Sequence, residues 1–414
     1  MKRGSDWWGC WIASAEERLF TPRFFLLCGF SFTVFLSIFQ LLPTAPFRIL
    51  ELGGSKFSAG LFLGFLTYAS AFSAPLTGAL ADRLGRRRVL IVSSLALAVF
   101  SGLYATIDGH RAYRWMLALA VIHGVFWSGL LSASSAYIVD IIPERRRAEG
   151  IGYWGMSTVL AVSVAPSLGF WVYHRGWLWT CASVGVLNLV MALIAYRLPD
   201  RHVPAVHPER SWARDLVEWR VLALSVTLFL YSWGYGAMTS FVALYADAHG
   251  IRPKGVFFTI FAVVVLVTRP FSGRLADRVG ARRVFLPCLL LIVLSFILLA
   301  TLPSFWGMVT AAAVFGVGFG TAYPAYVAHV TRHVAPARRG AAFGGILAAF
   351  DTGVGTGSVV SGYVVERFGF SAAYGVAAVL SSLALPYFLL VEKRLLASSA
   401  AAAAASPRSS DAAR

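Results

Sequence analysis

Residues 78–88 read GALADRLGRRR, and residues 273–283 read GRLADRVGARR, so the chain contains the same glycine- and arginine-rich stretch twice. The two copies begin at Gly78 and Gly273, 195 residues apart in a chain of 414 residues. A repeat at about half the chain length predicts two related halves, each with the same turn between two long apolar runs.

A second, weaker repeat supports this division. Residues 143–146 read PERR, and residues 336–339 read PARR, 193 residues later. Gly152 and Gly345 keep the same offset. The duplication therefore extends beyond the first motif.

The composition is that of a membrane protein. Hydrophobic residues make up 58% of the chain and charged residues 13%, and the mean hydropathy is +0.71. A soluble domain has about 25% charged residues. The net charge of +17 would suggest nucleic acid in a soluble protein, but here the basic residues lie in short loops between apolar segments, so we expect no nucleic-acid partner.

Twelve apolar segments between residues 24 and 391 are long enough to cross about 30 Å of hydrocarbon as helices. The last two are predicted at 341–365 and 370–391. Six precede and six follow a long polar loop, which predicts an all-α membrane protein with twelve transmembrane helices in two pseudo-symmetric six-helix bundles. The predicted units are an N-terminal bundle with a short cytoplasmic N-terminus (1–196), a cytoplasmic central loop (197–220), a C-terminal bundle (221–391) and a disordered cytoplasmic tail (392–414).

Lysine and arginine are concentrated on one side of these segments. Since cytoplasmic loops carry the excess of basic residues, both termini and both copies of the motif are expected in the cytoplasm. The excess of arginine over lysine favours a bacterial inner membrane. Four cysteines without metal-ligand spacing predict neither a metal site nor a disulfide framework.

The repeated motif itself has a physical interpretation. Its first glycine allows close helix approach, its aspartate pairs with arginine or caps a helix, its second glycine permits a tight turn, and its arginines hold the loop in the cytoplasm. A plain positively charged hairpin is the simpler interpretation, but two copies at equivalent places favour a conformational switch. The residues are Gly78, Asp82, Arg83, Gly85, Arg86 and Arg87 in the first copy, and Gly273, Asp277, Arg278, Gly280 and Arg282 in the second.

On these motifs the membrane-spanning part resembles the major facilitator superfamily. Residues 78–88 resemble the family's motif in the loop between spans two and three, and residues 273–283 resemble its second copy between spans eight and nine. The resemblance implies two bundles around a central cavity that opens to one side at a time. Ala281 stands where the first copy has Arg86.

The fifth apolar segment resembles that of the twelve-span drug:proton antiporters. Small residues with a proline allow close packing and a kink, and simple small-residue packing is the alternative. Ala120 stands where those antiporters have an arginine in span four. The corresponding positions are Gly152, Ala161, Ala165, Pro166 and Gly169, with alanine at two positions where those antiporters usually have glycine.

Two residues within the apolar segments are candidates for proton coupling. Asp351 is a carboxylate near mid-membrane, where its insertion costs on the order of 2.5–3.5 kcal/mol. His123 in the fourth segment is a candidate proton relay, with hydrogen-bonded packing as the alternative. The alternative for Asp351 is that it pairs with a neighbouring helix or caps a break in its own helix beside Gly353, Gly355 and Gly357.

Aromatic and polar residues in spans one, four, seven and ten are candidates for the substrate cavity, because the resemblance places these helices around it. Tyrosine and tryptophan suit flat or amphipathic molecules, although packing is their commoner use. The candidates are Gln40, Trp127, Tyr235, Ser240 and Tyr323.

The sequence thus predicts a monomeric secondary transporter that exports a small amphipathic compound in exchange for protons. The Gly-x-x-x-x-Gly-Lys-Ser/Thr nucleotide-binding loop is absent from the sequence, so we expect no ATP hydrolysis. The sequence also has no long soluble segment and no clustered His, Asp and Glu set, so we expect neither an enzyme nor a cofactor. An importer or facilitator of a sugar or other metabolite remains an alternative, as does a non-transporting membrane receptor.

Overall fold

The computed structural model describes residues 19–143, 146–199, 219–332 and 339–405, and all of its regular structure is helical. Eleven helices are present in these ranges. Their bounds are α1 Pro22–Glu51, α2 Lys56–Leu84, α3 Arg86–Thr106, α4 Tyr113–Ile141, α5 Arg147–Tyr173, α6 Trp177–Arg197, α7 Trp219–Ala248, α8 Val256–Val279, α9 Ala281–Thr301, α10 Phe305–Arg332 and α11 Arg339–Ala405.

The repeated motif forms the same turn in both halves. Gly85 separates α2 from α3 with φ 94° and ψ 133°, and Gly280 separates α8 from α9 with φ 95° and ψ 136°. Glycine adopts this left-handed φ without the steric cost that a Cβ brings. We call the end of the molecule with Gly85 and Gly280 the motif side, and the end with the turns at Gly53 and Gly250 the far side.

A second pair of glycines marks another duplicated turn. Gly176 lies between α5 and α6 with φ 115° and ψ 158°. Gly369, 193 residues later, is a non-helical residue inside α11 with φ 85° and ψ 176°. The last two predicted spans therefore lie within one continuous helical element that is divided at this glycine. In the described ranges, nine helices are long and apolar enough to cross a membrane.

The helices form two hydrophobic cores, one of residues mainly from α1–α6 and one of residues mainly from α7–α11. α11 joins them, because it packs against α7 of its own half and α2 of the other. Glycines allow this close approach: a Cβ on Gly357 would lie 1.8 Å from the Trp233 carbonyl oxygen, and one on Gly60 would lie 2.4 Å from that of Ser358.

Three predicted segments extend past what the structure describes. Residues 1–18, which include the predicted cytoplasmic N-terminus, lie outside the described ranges. Residues 200–218 of the predicted central loop and residues 406–414 of the predicted tail lie outside the described ranges. α11 continues to Ala405, into the segment for which the sequence predicts disorder. Its end is rich in alanine, which has the highest intrinsic helix propensity.

Candidate functional site

The first copy of the motif is held by Arg86 at the start of α3. Its guanidinium pairs closely with the Asp140 carboxylate of α4, donates to the Ala136 carbonyl oxygen at 2.8 Å and lies 3.8 Å from Asp82 Oδ1. One arginine therefore ties the ends of α2 and α4 to the turn. Charge-assisted bonds of this kind are the stronger ones in proteins.

The next arginine of each copy reaches the last helix of its own half. Arg87 donates from Nη2 to the Tyr196 carbonyl oxygen at 2.6 Å, and its guanidinium lies 5.2 Å from the centre of the Tyr196 ring. Arg282, 195 residues later, donates from Nε to Glu392 Oε2 at 2.7 Å. The buried Glu392 also lies 2.9 Å from His329 Nε2.

Where the first copy of the motif has Arg86, the second copy has Ala281. An alanine side chain cannot form the ion pairs and the hydrogen bond that Arg86 forms within the N-terminal half. Arg278 is exposed, and Gly280 forms the turn already described. The surroundings of Gly273 and the side chain of Asp277 lie outside what the structure describes. A Cβ added to Gly78 would have no atom of the described residues within 4 Å.

Asp351 lies where α11 meets α2 of the other half. Ser70 donates to its Oδ2 at 3.3 Å. About a turn nearer the far side, the Tyr68 hydroxyl and the Thr356 hydroxyl are 2.7 Å apart, again across the boundary between the halves. The carboxylate is therefore part of the interface between the two halves.

Aromatic rings from α7, α10 and α11 gather beside this carboxylate. Tyr235 and Phe319 are stacked with centroids 4.5 Å apart and planes at 8°. The Phe350 ring lies 6.1 Å from both of these rings and 5.4 Å from that of Tyr323, and Tyr323 is within electrostatic range of Asp351. We call Tyr235, Phe319, Tyr323 and Phe350 the aromatic cluster.

The aromatic cluster is partly exposed and lies at the boundary of the halves. All four residues, like Asp351, are half-buried. Tyr235 packs against both hydrophobic cores. Flat apolar faces beside one carboxylate suit an amphipathic cation.

The other predicted cavity residues lie elsewhere. Gln40 is fully buried within the N-terminal half, where its Oε1 accepts from Ser183 at 3.0 Å. Ser240 is buried with its hydroxyl 2.6 Å from that of Ser358. Trp127 is half-buried with its ring 5.7 Å from that of Phe35. The structure therefore brings Tyr235 and Tyr323 together with Asp351, and not Gln40 or Ser240.

His123 does not lie in the aromatic cluster. It is buried in the N-terminal half, with its ring 6.2 Å from Phe100 and 6.1 Å from Tyr104, both on α3. The two predicted proton-coupling residues thus lie in different halves.

The predicted motif of the fifth segment lies in α5. Ala161 and Ala165 are fully buried, and a Cβ on Gly169 would lie 2.9 Å from Gln40 Cα, so this end packs closely on α1. Pro166 is inside the helix. Gly152 is exposed.

The halves also meet on the far side through charged groups. Lys254 Nζ lies 4.5 Å above the Phe47 ring, and the same amine pairs with Asp247 at 2.8 Å. Glu366 Oε2 accepts from the Phe57 backbone N–H at 2.8 Å, so a carboxylate of α11 caps the start of α2.

The turn between α3 and α4 carries a further acidic group on the far side. The Gly109 backbone N–H, and then the Arg48 guanidinium, lower the pKa of Asp108 below its usual value. Within the described ranges, no three His, Cys, Asp or Glu side chains are grouped so that they could hold a metal ion.

Sequence reasoning missed Ser70, Phe319 and Phe350. Phe350 could have been predicted as part of the site from the sequence, because it directly precedes Asp351. Ser70 has no signal in the sequence, because a serine in an apolar helix is common and only the approach of α11 gives it a carboxylate partner.

The family model of the Major Facilitator Superfamily matches residues 25–257 and 224–411. The uncharacterized MFS-type transporter YhhS of Escherichia coli (strain K12) is 25% identical over 372 residues, covering 88% of this chain and 91% of that protein.

Two solved structures share the fold. A bacterial homolog of the human lysosomal transporter Spinster, in an inward-facing and occupied conformation, has a TM-score of 0.72 at 17% identity, covering 89% of this chain and 96% of that one. The nucleoside transporter NupG has a TM-score of 0.69 at 18% identity, covering 90% of this chain and 99% of that one.

Proposed function

The chain belongs to the Major Facilitator Superfamily, and we propose that it exports small amphipathic cations in exchange for protons. Because the family consists of transporters, the chain is a multi-pass membrane transporter and not an enzyme. Direction, substrate class and coupling ion are the parts that we propose.

The observation that carries this proposal is Asp351 beside the aromatic cluster at the boundary between the halves. A carboxylate attracts a cation and repels an anion, while the stacked rings bind flat apolar groups. A carboxylate inside a membrane is costly unless it has a function. A protonatable group beside the substrate site also allows proton and substrate to compete for it.

Alternating access is supported by the distribution of contacts between the halves. These contacts run from Glu366 and Lys254 on the far side to Asp351 within the bundle. We infer that these contacts close the cleft on the far side. We propose that export requires the cleft to open toward the motif side, the predicted cytoplasmic side, to take up its substrate.

We further propose twelve spans in two six-helix bundles, 1–196 and 221–391, with the loop 197–220 and both termini in the cytoplasm. The glycine break in α11 supports this count, since Gly369 repeats the turn of Gly176. The tail begins at residue 392. The protein acts as a monomer in the bacterial inner membrane.

The test is transport in inverted membrane vesicles, in which the cytoplasmic face is outside. Acidifying the lumen drives protons outward, so an exporter accumulates a fluorescent lipophilic cation in the lumen, and a protonophore abolishes the accumulation. Vesicles that contain the Asp351→Asn variant are the control.

The alternative is import of a small metabolite through the same cleft. Uptake by whole cells of a hydrophilic metabolite, with no accumulation of the cation in inverted vesicles, would establish the importer and refute the exporter.

A further inference from the structure

A buried carboxylate lies at the motif-side end of the C-terminal half, where α9, α10 and α11 meet. Glu392 of α11 is 5% exposed. Its Oε2 accepts from Arg282 Nε at 2.7 Å, and its Oε1 lies 2.9 Å from His329 Nε2. Arg282 belongs to the second copy of the repeated motif, two residues after the turn at Gly280. We call Arg282, His329 and Glu392 the C-terminal charge cluster.

The N-terminal half has a different ion pair at the corresponding place, where Arg86 pairs with Asp140 of α4. The residue 195 positions after Arg86 is Ala281. The residue 193 positions after Asp140, at the offset that relates the PERR and PARR stretches, is His333, which lies outside the described ranges. The C-terminal half therefore lacks both members of this ion pair.

His329 occupies a corresponding position on α10. It lies 193 positions after Ala136 of α4, whose carbonyl oxygen accepts from Arg86 at 2.8 Å. In each half, a contact thus joins the start of the helix after the glycine turn to the end of the fourth helix. In the C-terminal half this contact runs through Glu392, so it also includes the last helix.

Only one of the two cations beside Glu392 is permanent. Arginine keeps its charge throughout the physiological pH range, whereas the contact of His329 is an ion pair only when its imidazole is protonated. Within the described ranges, Glu392 Oε1 accepts no aligned hydrogen bond. Attraction between opposite charges depends on their distance, so protonation of His329 gives this buried oxygen an opposite charge 2.9 Å away.

The charge cluster lies near the aqueous phase on the motif side. The apolar span that the described residues of α10 form is Phe305–Val327, and His329 follows it. The side chain of His329 is 13% exposed and that of Arg282 is 48% exposed. A proton from this side therefore has a short path to the ring.

Glu392 is the acidic partner of His329 among the described side chains. α10 packs against α8, α9 and α11, and α7, which reaches α10 through Ser225 and Tyr326, has no charged residue from 221 to 246. The side chain of Asp277 lies outside the described ranges. The other charged side chains described at this end of α8, α9 and α11 are basic and exposed, namely Arg278, Arg283, Lys393 and Arg394.

We propose that His329 and Glu392 position the second copy of the motif in place of the missing ion pair, and that protonation of His329 strengthens this contact. When His329 is protonated, it and Arg282 each neutralise one oxygen of Glu392, which holds the ends of α10 and α11 to the turn at Gly280. When His329 is neutral, Arg282 alone pairs with the carboxylate. The C-terminal half is thus held more tightly when the motif side is acidic.

The sign of the pH effect follows from when the pair exists. His329 and Glu392 meet only in the folded protein, and they form an ion pair only when the ring is protonated. The stabilisation is therefore present at acid pH and is lost as the pH rises through the range in which histidine titrates, around about pH 6.5. This effect does not depend on the direction of transport or on the substrate.

Thermal unfolding of the full chain in nanodiscs, at about pH 5.5 and about pH 8.5, tests the proposal. His329→Gln removes the charge, so it should unfold about 2–4 °C below the unmodified protein at acid pH and within about 1 °C of it at alkaline pH. His329→Lys carries a permanent charge, so its difference from His329→Gln should be equal at both pH values. His174→Gln, which alters an exposed histidine at the end of α5, is the control.

Glu392→Gln tests whether the carboxylate is the partner. In this background, His329→Gln should have the same effect at both pH values. A pH-dependent effect that persists there would overturn the proposal, as would an equal difference between His329→Gln and the unmodified protein at acid and alkaline pH.

A second measurement needs no variant to fold. Hydrogen–deuterium exchange at ring carbon C2 of His329, read by mass spectrometry on the unmodified protein, follows protonation of the ring and should change between about pH 5 and about pH 8. A rate at His329 that does not vary with pH would also overturn the proposal. Neither measurement uses a transported substrate, so a protein that fails to export cations would refute the proposed function and leave this inference standing.

Discussion

The Ser70 hydroxyl on α2 donates to Asp351 Oδ2 on α11 at 3.3 Å, so a hydrogen bond joins the two halves of the molecule. Opening the far side requires α2 and α11 to separate, and this bond then breaks. A side-chain hydrogen bond contributes about 0.5–1.5 kcal/mol, so the bond favours the state that is closed on the far side.

Asp351→Asn should abolish accumulation against a gradient and retain downhill exchange, because an amide cannot load and release a proton. Cation transport in vesicles with an imposed pH gradient measures both. Glu149→Gln is the control, since it removes a carboxylate that lies at an exposed ion pair with Arg146. Unchanged accumulation by Asp351→Asn would place the proton site elsewhere.

Arg86→Ala should reduce the transport rate strongly without loss of membrane insertion, because Arg86 ties α2 and α4 to the turn between α2 and α3. Asp82→Asn should also reduce it. Asp277→Asn should do less, because its copy of the motif has Ala281 where the first has Arg86. Transport rates divided by the amount of protein in the vesicles measure this. Full transport by Asp82→Asn would contradict the conformational role of the motif.

The sequence was sufficient for the family, the duplication and the helical class, because hydropathy and the glycine turn are local signals. Gly85 and Gly280 share their backbone conformation as the repeat predicts. The site was predictable only in part. Gln40 and Ser240 are polar residues in apolar helices, and sequence does not tell whether such a side chain faces a cleft or a neighbouring helix. In the structure both side chains face neighbouring helices.

Gly357→Ala should destabilise the protein, because the new Cβ would lie 1.8 Å from the Trp233 carbonyl oxygen and α11 would have to move. Overpacking of this kind typically costs about 1–3 kcal/mol. Gly152→Ala is the matched control in α5, since nothing among the described residues lies within 4 Å of its Cβ. Thermal stability in detergent should fall for the first and not for the second. Equal stability of the two variants would show that α11 has room to shift.

Lys254→Met should loosen the closure on the far side, because Lys254 pairs with Asp247 and lies over the Phe47 ring of the other half. A cation–π contact contributes about 0.5–1 kcal/mol at an exposed site and more when desolvated. Because the Lys254 side chain is only 16% exposed, we expect a change of at least about two- to fivefold in the ratio of closed to open molecules. Spin labels across the far side measure this ratio. Arg111→Met, which alters an exposed residue of the turn before α4, should leave it unchanged. An unaltered distance distribution for Lys254→Met would show that other contacts hold the far side closed.

Tyr235→Leu should weaken binding of an aromatic cation, whereas Tyr235→Phe should bind it nearly as well, because the stack on Phe319 depends on the ring and not on the hydroxyl. An aromatic contact contributes about 0.5–1.5 kcal/mol beyond buried area, so we expect a loss of about two- to tenfold in affinity. Titration of purified protein with a fluorescent planar cation measures it, and a flexible aliphatic ammonium ion of similar size should lose less. Trp179→Leu, which removes a 60% exposed ring from α6, is the control. Equal affinities for the planar cation in Tyr235→Leu and the unmodified protein would show that the aromatic cluster serves packing and that the substrate binds elsewhere in the cleft.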